Sequence, residues 1–173
     1  SSISHVGFIL MGLTVISKLA LSYVLFYLVI YIFMNLAAFY VLLYVQNIRQ
    51  VDTIDGWNGL SHTNPLISAF MVISLVSLAG LPPSAGFFGK VYLFSVLIQN
   101  KVYYWLAIVG ILNSVISLYY YFRLVKSMYL DDLIESKEIN SKSNFSFIKW
   151  SAIVLSAQNL LFYFYQSKLF ELI

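Results

Sequence analysis

The chain has 173 residues, 61% of them hydrophobic, 18% aromatic and only 10% charged, with a mean hydropathy of +0.84; this excludes an ordinary soluble domain and indicates an integral membrane protein. Zero cysteines exclude disulfides, thiolate-held iron–sulfur clusters and cysteine-based zinc sites, and the two histidines, His5 and His62, form no HExxH pair. The net charge of +3 sits in short segments between apolar runs, where basic residues report membrane topology rather than nucleic-acid binding, and no glycine-rich phosphate loop is present.

About 20 apolar residues span a bilayer. Five segments approach or exceed that length, at about 4–17, 19–46, 65–100, 102–122 and 145–165, so the expectation is an all-α integral membrane fold of about five transmembrane helices. The first opens "SSISHVGFILMGL", with neither a methionine at its first position nor the basic region of a signal peptide; either an initiator has been removed or the chain begins within a longer protein. His5, near its start, is of a type that titrates near neutrality, and reads either as a proton-passing group or as a headgroup-level residue. Asn35 in the second span and Asn113 and Ser117 in the fourth are amides and a hydroxyl expected to bond between helices first and to line a polar path second.

Polar, turn-rich loops at about 47–64 and 123–144 separate spans two from three and four from five. Neither is long enough to be a domain, which leaves 1–173 as a single membrane domain, with His62 solvated in the first loop. Tyr40, Tyr44, Tyr103, Trp105, Tyr119, Tyr121 and Trp150 gather near span ends as interfacial belts do. Heavy use of Phe, Tyr, Ile and Leu suits an AT-rich organellar genome.

The third segment, 65–100, is too long for one helical crossing at about 1.5 Å per residue through a core of about 30 Å. It contains "SLAGLPPSAGFFGK", in which Pro82 and Pro83 each remove a backbone donor and push their predecessors out of the helical region. Residues 81–85 are therefore expected to be unwound, with Gly80, Gly86 and Gly89 alongside. Two outcomes remain open: a hairpin of two short spans, or one discontinuous span made of two half-helices. Loop charges divide six to three either way, so the positive-inside rule leaves the choice open, while placing the 123–149 stretch on the cytoplasmic or matrix side.

Unwound backbone at membrane depth is tolerated where protein or water surrounds it. The second half-helix starts near Ser84, so its positive end faces the break, and Lys90 lies about two turns further on. A lysine there costs about 2.5–3.5 kcal/mol on insertion scales, which argues for a compensating role. Lys90 is thus a candidate proton-relay group; the alternative is a lysine that snorkels to an interface beside a simple proline turn. Ser74, Ser77 and Ser84 either hydrate the path or pack helices and bond back to carbonyls.

"SLAGLPPSAGFFGKVYLF" resembles the broken-helix signature of the antiporter-like membrane subunits of respiratory complex I, and "SSISHVGFILMGL" resembles the helix two before it in the same family. The order and spacing agree, and "GLSHTNPLISAFMVISLVSLAG" fits the approach to the break. A lysine after "GFFG" is most similar to subunit 2, called subunit N in bacteria. The resemblance implies that the third segment is one discontinuous crossing at Pro82-Pro83, within the later half of an inverted repeat followed by a terminal helix. It also implies that Lys90 is the ionisable residue near the end of a proton path and that His5 flanks a central hydrated axis.

A full-length member has many more helices, so the resemblance implies the carboxy-terminal part of a split or fragmented subunit 2, completed by another chain carrying the earlier helices. By the same resemblance the chain is a subunit of a proton-translocating NADH:ubiquinone reductase with no redox site and no cofactor of its own, flavin, iron–sulfur clusters and quinone belonging to partner subunits. Its partners would be membrane lipid and other membrane-arm subunits, not nucleic acid. Its location would be the mitochondrial inner membrane in preference to a bacterial plasma membrane or thylakoid. The competing readings are a subunit of a Mrp-type cation/proton antiporter or membrane-bound hydrogenase, and a structural fragment of the membrane arm.

Overall fold

The computed structural model describes residues 1–50, 52–132 and 154–156, which contain helices, turns and irregular backbone and no strand. Among them six α-helices follow in order: α1 (Ser2–Leu13), α2 (Lys18–Arg49), α3 (Leu60–Thr63), α4 (Pro65–Ala79), α5 (Ala85–Gln99) and α6 (Tyr104–Tyr129), with a short 3-10 turn, Ile54–Trp57, between α2 and α3. The all-helical fold expected from the sequence is present. The predicted last span, 145–165, lies outside the described residues except for 154–156, as does the second loop beyond 132.

Local chemistry sets the helix boundaries. Ser17 caps α2 by accepting from the Ala20 amide at 3.0 Å, and Pro65 opens α4, where its missing donor would have had no partner. Gly80 ends α4 in the left-handed region (φ 78°), its amide donating to the carbonyls of Val76 and Ser77 while the Leu81 amide returns to Val76. The Pro82-Pro83 peptide bond is cis. Ser84 then caps α5, accepting from the Phe87 amide at 3.4 Å.

Several predicted boundaries need correction. The first helix stops at Leu13, four residues before the expected end, because the chain turns through residues 14–17 into the cap of α2. The fourth span was expected to stop at residue 122, but α6 continues to Tyr129 and takes Arg123 and Lys126 with it. Charge marks where a helix leaves hydrocarbon, not where its hydrogen bonds stop. The first loop is also more structured than its composition suggests. Arg49, read as a topology charge, is 4% exposed and donates through Nη1 to the carbonyls of Gly56 and Asn58 and through Nη2 to Thr63 Oγ1. Ser127 of α6 donates to Ile54 O at 3.0 Å and pairs with Asn58 Oδ1, so this loop is fastened to the end of α6. His62 is exposed, as expected.

α2 packs along α1, α4 and α5, and α6 closes the other side against α4 and α5. One apolar cluster joins Ile30, Met34 and Val41 of α2 to Met71 and Leu78 of α4 and Tyr121 of α6. A second joins Phe8 of α1, Tyr27 of α2 and Leu93 and Phe94 of α5. The polarity is that of a membrane protein: His5, Ser68, Ser74, Ser77 and Lys90 are buried, while Leu21, Leu25, Ile32, Phe39, Ile108, Leu112 and Ile116 face outward. By length and composition α2 and α6 can each cross a bilayer, whereas α1, α4 and α5 are shorter apolar helices.

Candidate functional site

The two apolar clusters meet at Lys90. It sits on α5, 4% exposed, and its Nζ donates to the carbonyl oxygens of Leu78 at 3.0 Å and Ala79 at 2.8 Å. Those oxygens belong to the last turn of α4 and are unsatisfied within their own helix because the chain breaks at Gly80. The ammonium thus caps the negative end of the α4 dipole, and lies 5.0 Å from the centre of the Phe8 ring.

The rest of the break is accounted for bond by bond. Ser84 Oγ donates to Leu81 O at 2.6 Å, and the Gly86 amide reaches Ser77 Oγ at 3.4 Å, so the start of α5 overlaps the last turn of α4. Glycine is required at two of these points. A Cβ on Gly80 would lie 2.7 Å from Lys90 Cδ, in a left-handed backbone as well. A Cβ on Gly86 would collide with the Ser77 carbonyl oxygen, which is backbone and cannot rotate away. Gly89 likewise admits the Tyr27 ring, whose Cδ2 would be 2.7 Å from a Cβ there. Pro82 and Pro83 face outward.

On the α1–α2 side, His5 is 1% exposed and its Nδ1 pairs with the Tyr27 hydroxyl at 2.7 Å. Its ring stacks on Tyr31 at 4.8 Å between centres and meets Phe8 edge-on at 5.8 Å. Phe8 therefore touches both His5 and Lys90. On the opposite side a groove of about 310 Å³ runs between α4, α5 and α6, lined by Lys90, Ala79, Gly80, Phe94 and Ser114 among others.

Of the residues singled out in the sequence, Lys90, Gly80, Ser77, Ser84, Gly86 and Gly89 come together at the break, and His5 reaches it through Phe8. Ser77 and Ser84 both accept from amides at the start of α5, while Lys90 meets the end of α4. Asn35 and Asn113 are half-buried in α2 and α6, and no hydrogen bond joins either side chain to Lys90 or His5 among the described residues. Tyr27, Phe8 and Ser114 were not foreseen. The one available signal was that Tyr27 and Tyr31 stand four apart in the middle of an apolar run rather than at its end.

A family model described as "NADH:quinone oxidoreductase/Mrp antiporter, TM" matches residues 1–117. The chain belongs to this family. NADH-quinone oxidoreductase subunit N of Paramagnetospirillum magneticum is 48% identical over 137 residues, 79% of this chain and 28% of that protein. The subunit N of Pelagibacter ubique is 38% identical over 174 residues, 100% of this chain and 36% of its own length. A chain of respiratory complex I from Thermus thermophilus, solved with bound aureothin, superposes with a TM-score of 0.77 at 24% identity, covering 98% of this chain and 38% of that one. A chain of the Mrp complex from Dietzia sp. also gives 0.77, at 19% identity over 97% of this chain and 39% of that one, so these two likenesses speak to fold alone. This antiporter-family chain thus spans about a third of the relatives it matches, and its resemblance to the subunit N type is borne out.

Proposed function

We propose that the chain forms part of a proton-translocating membrane-arm subunit, of the subunit N type, in an NADH:quinone oxidoreductase, and that Lys90 and water at the helix break relay protons. It carries no redox chemistry; flavin, iron–sulfur clusters and quinone would belong to partner subunits. The observation that carries the reading is the buried Lys90 ammonium, held by two main-chain carbonyls released by an interrupted helix. Main-chain oxygens and an aromatic face stabilise the charged amine without neutralising it, so the proton remains transferable.

A single discontinuous crossing, rather than a hairpin, is supported by the packing of the ends. The loop after α2 is bonded to the last turns of α6 through Ser127, so α2 and α6 finish on the same side, and α4 starts there too. α5 must then end on the far side, where α6 begins. The remaining helices of the subunit, whether in this polypeptide or in a partner chain, would supply the other half of the path. The relatives named above are bacterial, which supports a bacterial plasma membrane; the amino-acid bias behind a mitochondrial inner membrane fits an AT-rich bacterial genome equally well.

Replacing Lys90 in the assembled enzyme tests the reading. Lys90→Met should lower the number of protons moved per electron while electron transfer to an artificial acceptor continues, and Lys90→Arg, which keeps the cap, controls for folding. An unchanged ratio in Lys90→Met would reduce the lysine to packing. The equal likeness to a Mrp complex keeps a cation/proton antiporter as the second reading. Co-purification of the tagged chain with flavin and iron–sulfur subunits favours the oxidoreductase; their absence favours the antiporter.

A further inference from the structure

Lys90 has two sides, and they differ in chemistry. Toward α1 and α2 the ammonium meets the Phe8 ring face, and Phe8 is itself enclosed by His5, Tyr27 and Phe94 at centre-to-centre distances of 5.8, 6.4 and 5.9 Å. An aromatic ring neither accepts nor carries a transferable proton, so this side is closed while Phe8 stays in place. Toward α6 lies the groove of about 310 Å³. Among the described residues its polar side chains are Lys90 and Ser114 alone, and the Ser114 hydroxyl oxygen is buried with no hydrogen-bond partner among them. Its neighbours behave differently: Ser117, three residues on, donates back to Asn113 O at 2.9 Å, and Ser95 on α5 donates back to Tyr92 O at 2.7 Å. A buried hydroxyl that makes no bond to its own helix costs about 1–3 kcal/mol unless something in the groove meets it.

We propose that Ser114 is a positioning residue for the Lys90 proton: its hydroxyl holds water in the α4–α5–α6 groove, making this the wet side of the lysine. The inference rests on the relay reading given above. A water in liquid occupies about 30 Å³, so the groove has room for several. The polar atoms that line the groove for such waters are Lys90 Nζ, the Ala79 carbonyl with its second lone pair, and Ser114 Oγ. In the transfer step the ammonium gives one proton to this water, leaving a neutral amine with its lone pair and the excess proton on the water chain; a proton returning by the same or another water restores the ammonium. Ser114 accepts from one water and donates to the next, and neither gains nor loses a proton overall.

The chain has no native cysteine, so a single introduced thiol is unambiguous on this polypeptide. In the assembled, membrane-embedded enzyme, Ser114→Cys should react with a cationic methanethiosulfonate reagent, while Leu112→Cys on the outward face should not. Ser114→Ala should slow proton transfer along this path roughly two- to tenfold, the factor that goes with one lost hydrogen bond, and so lower the protons moved per electron, and Ser114→Thr should restore it. A Ser114→Cys thiol that stays unlabelled, or a normal ratio in Ser114→Ala alongside a reduced one in Lys90→Met, overturns the role of Ser114 and leaves the lysine relay standing. A normal ratio in Lys90→Met removes the relay itself. Should Ser114→Ala fail to assemble, the near-isosteric cysteine still decides whether the groove is wet.

Discussion

A lysine at membrane depth costs about 2.5–3.5 kcal/mol, and Lys90 makes three contacts of the kind that would offset it. Each hydrogen bond from a charged donor contributes about 1.5–3 kcal/mol, and a desolvated cation over an aromatic face about 2 kcal/mol. Lys90 has two such bonds and one such ring, which match the cost of burial with no carboxylate against it among the described residues. Gly80 is the residue this arrangement depends on most. Gly80→Ala places a β-carbon at φ 78° against the lysine side chain, and is expected to destabilise by about 1–3 kcal/mol and to displace Nζ from Leu78 and Ala79. Thermal dissociation of the assembled enzyme followed by native electrophoresis should show an earlier transition and reduced proton transfer together; wild-type behaviour in both would show that the glycine is incidental. Lys90, Gly80 and the prolines were legible in the sequence because each breaks the rule of an apolar helix. Tyr27, Phe8 and Ser114 were not, because an aromatic or a serine is ordinary in a membrane span. Their significance arises only from which helix faces them.

At the level of elements, the segment read as one long span is divided into two helices of 15 residues each, α4 and α5. At about 1.5 Å per residue each reaches about 22 Å, short of a hydrocarbon core of about 30 Å, and their ends overlap where Ser77 and Gly86 meet. The interruption was readable from Pro82 and Pro83. The continuation of α6 past Phe122 was not, since Arg123 and Lys126 resemble loop residues until the backbone is traced. Nor was the fastening of the first loop, because one arginine in a polar segment carries no mark of what it binds. Arg49→Ala removes the donors to Gly56 O, Asn58 O and Thr63 Oγ1, and even one such bond to a charged group is worth about 1.5–3 kcal/mol. Limited proteolysis of membrane vesicles should cut residues 50–64 faster in this variant. Unchanged cleavage would mean that Ser127 alone secures the loop.

At the scale of the whole molecule, the described residues carry a largely apolar outward surface, and polar groups are set into an apolar interior in two places, around Arg49 and Ser127 at the first loop and around Lys90 at the break. His5, Tyr27, Lys90 and the capped ends of α4 and α5 lie together beneath an outward surface of Leu, Ile and Phe. Composition alone announced a membrane protein, and the "GLPPSAGFFGK" motif announced the family; neither disclosed that the lysine is flanked by a ring on one side and a groove on the other. The most direct check is a density map of the assembled complex at a resolution that shows ordered water. The account predicts Lys90 Nζ within hydrogen-bond distance of Leu78 O and Ala79 O, well inside the hydrocarbon boundary, with water peaks leading from it along α6. An Nζ extended to headgroup depth, or a helix running unbroken from Pro65 to Gln99, would contradict it.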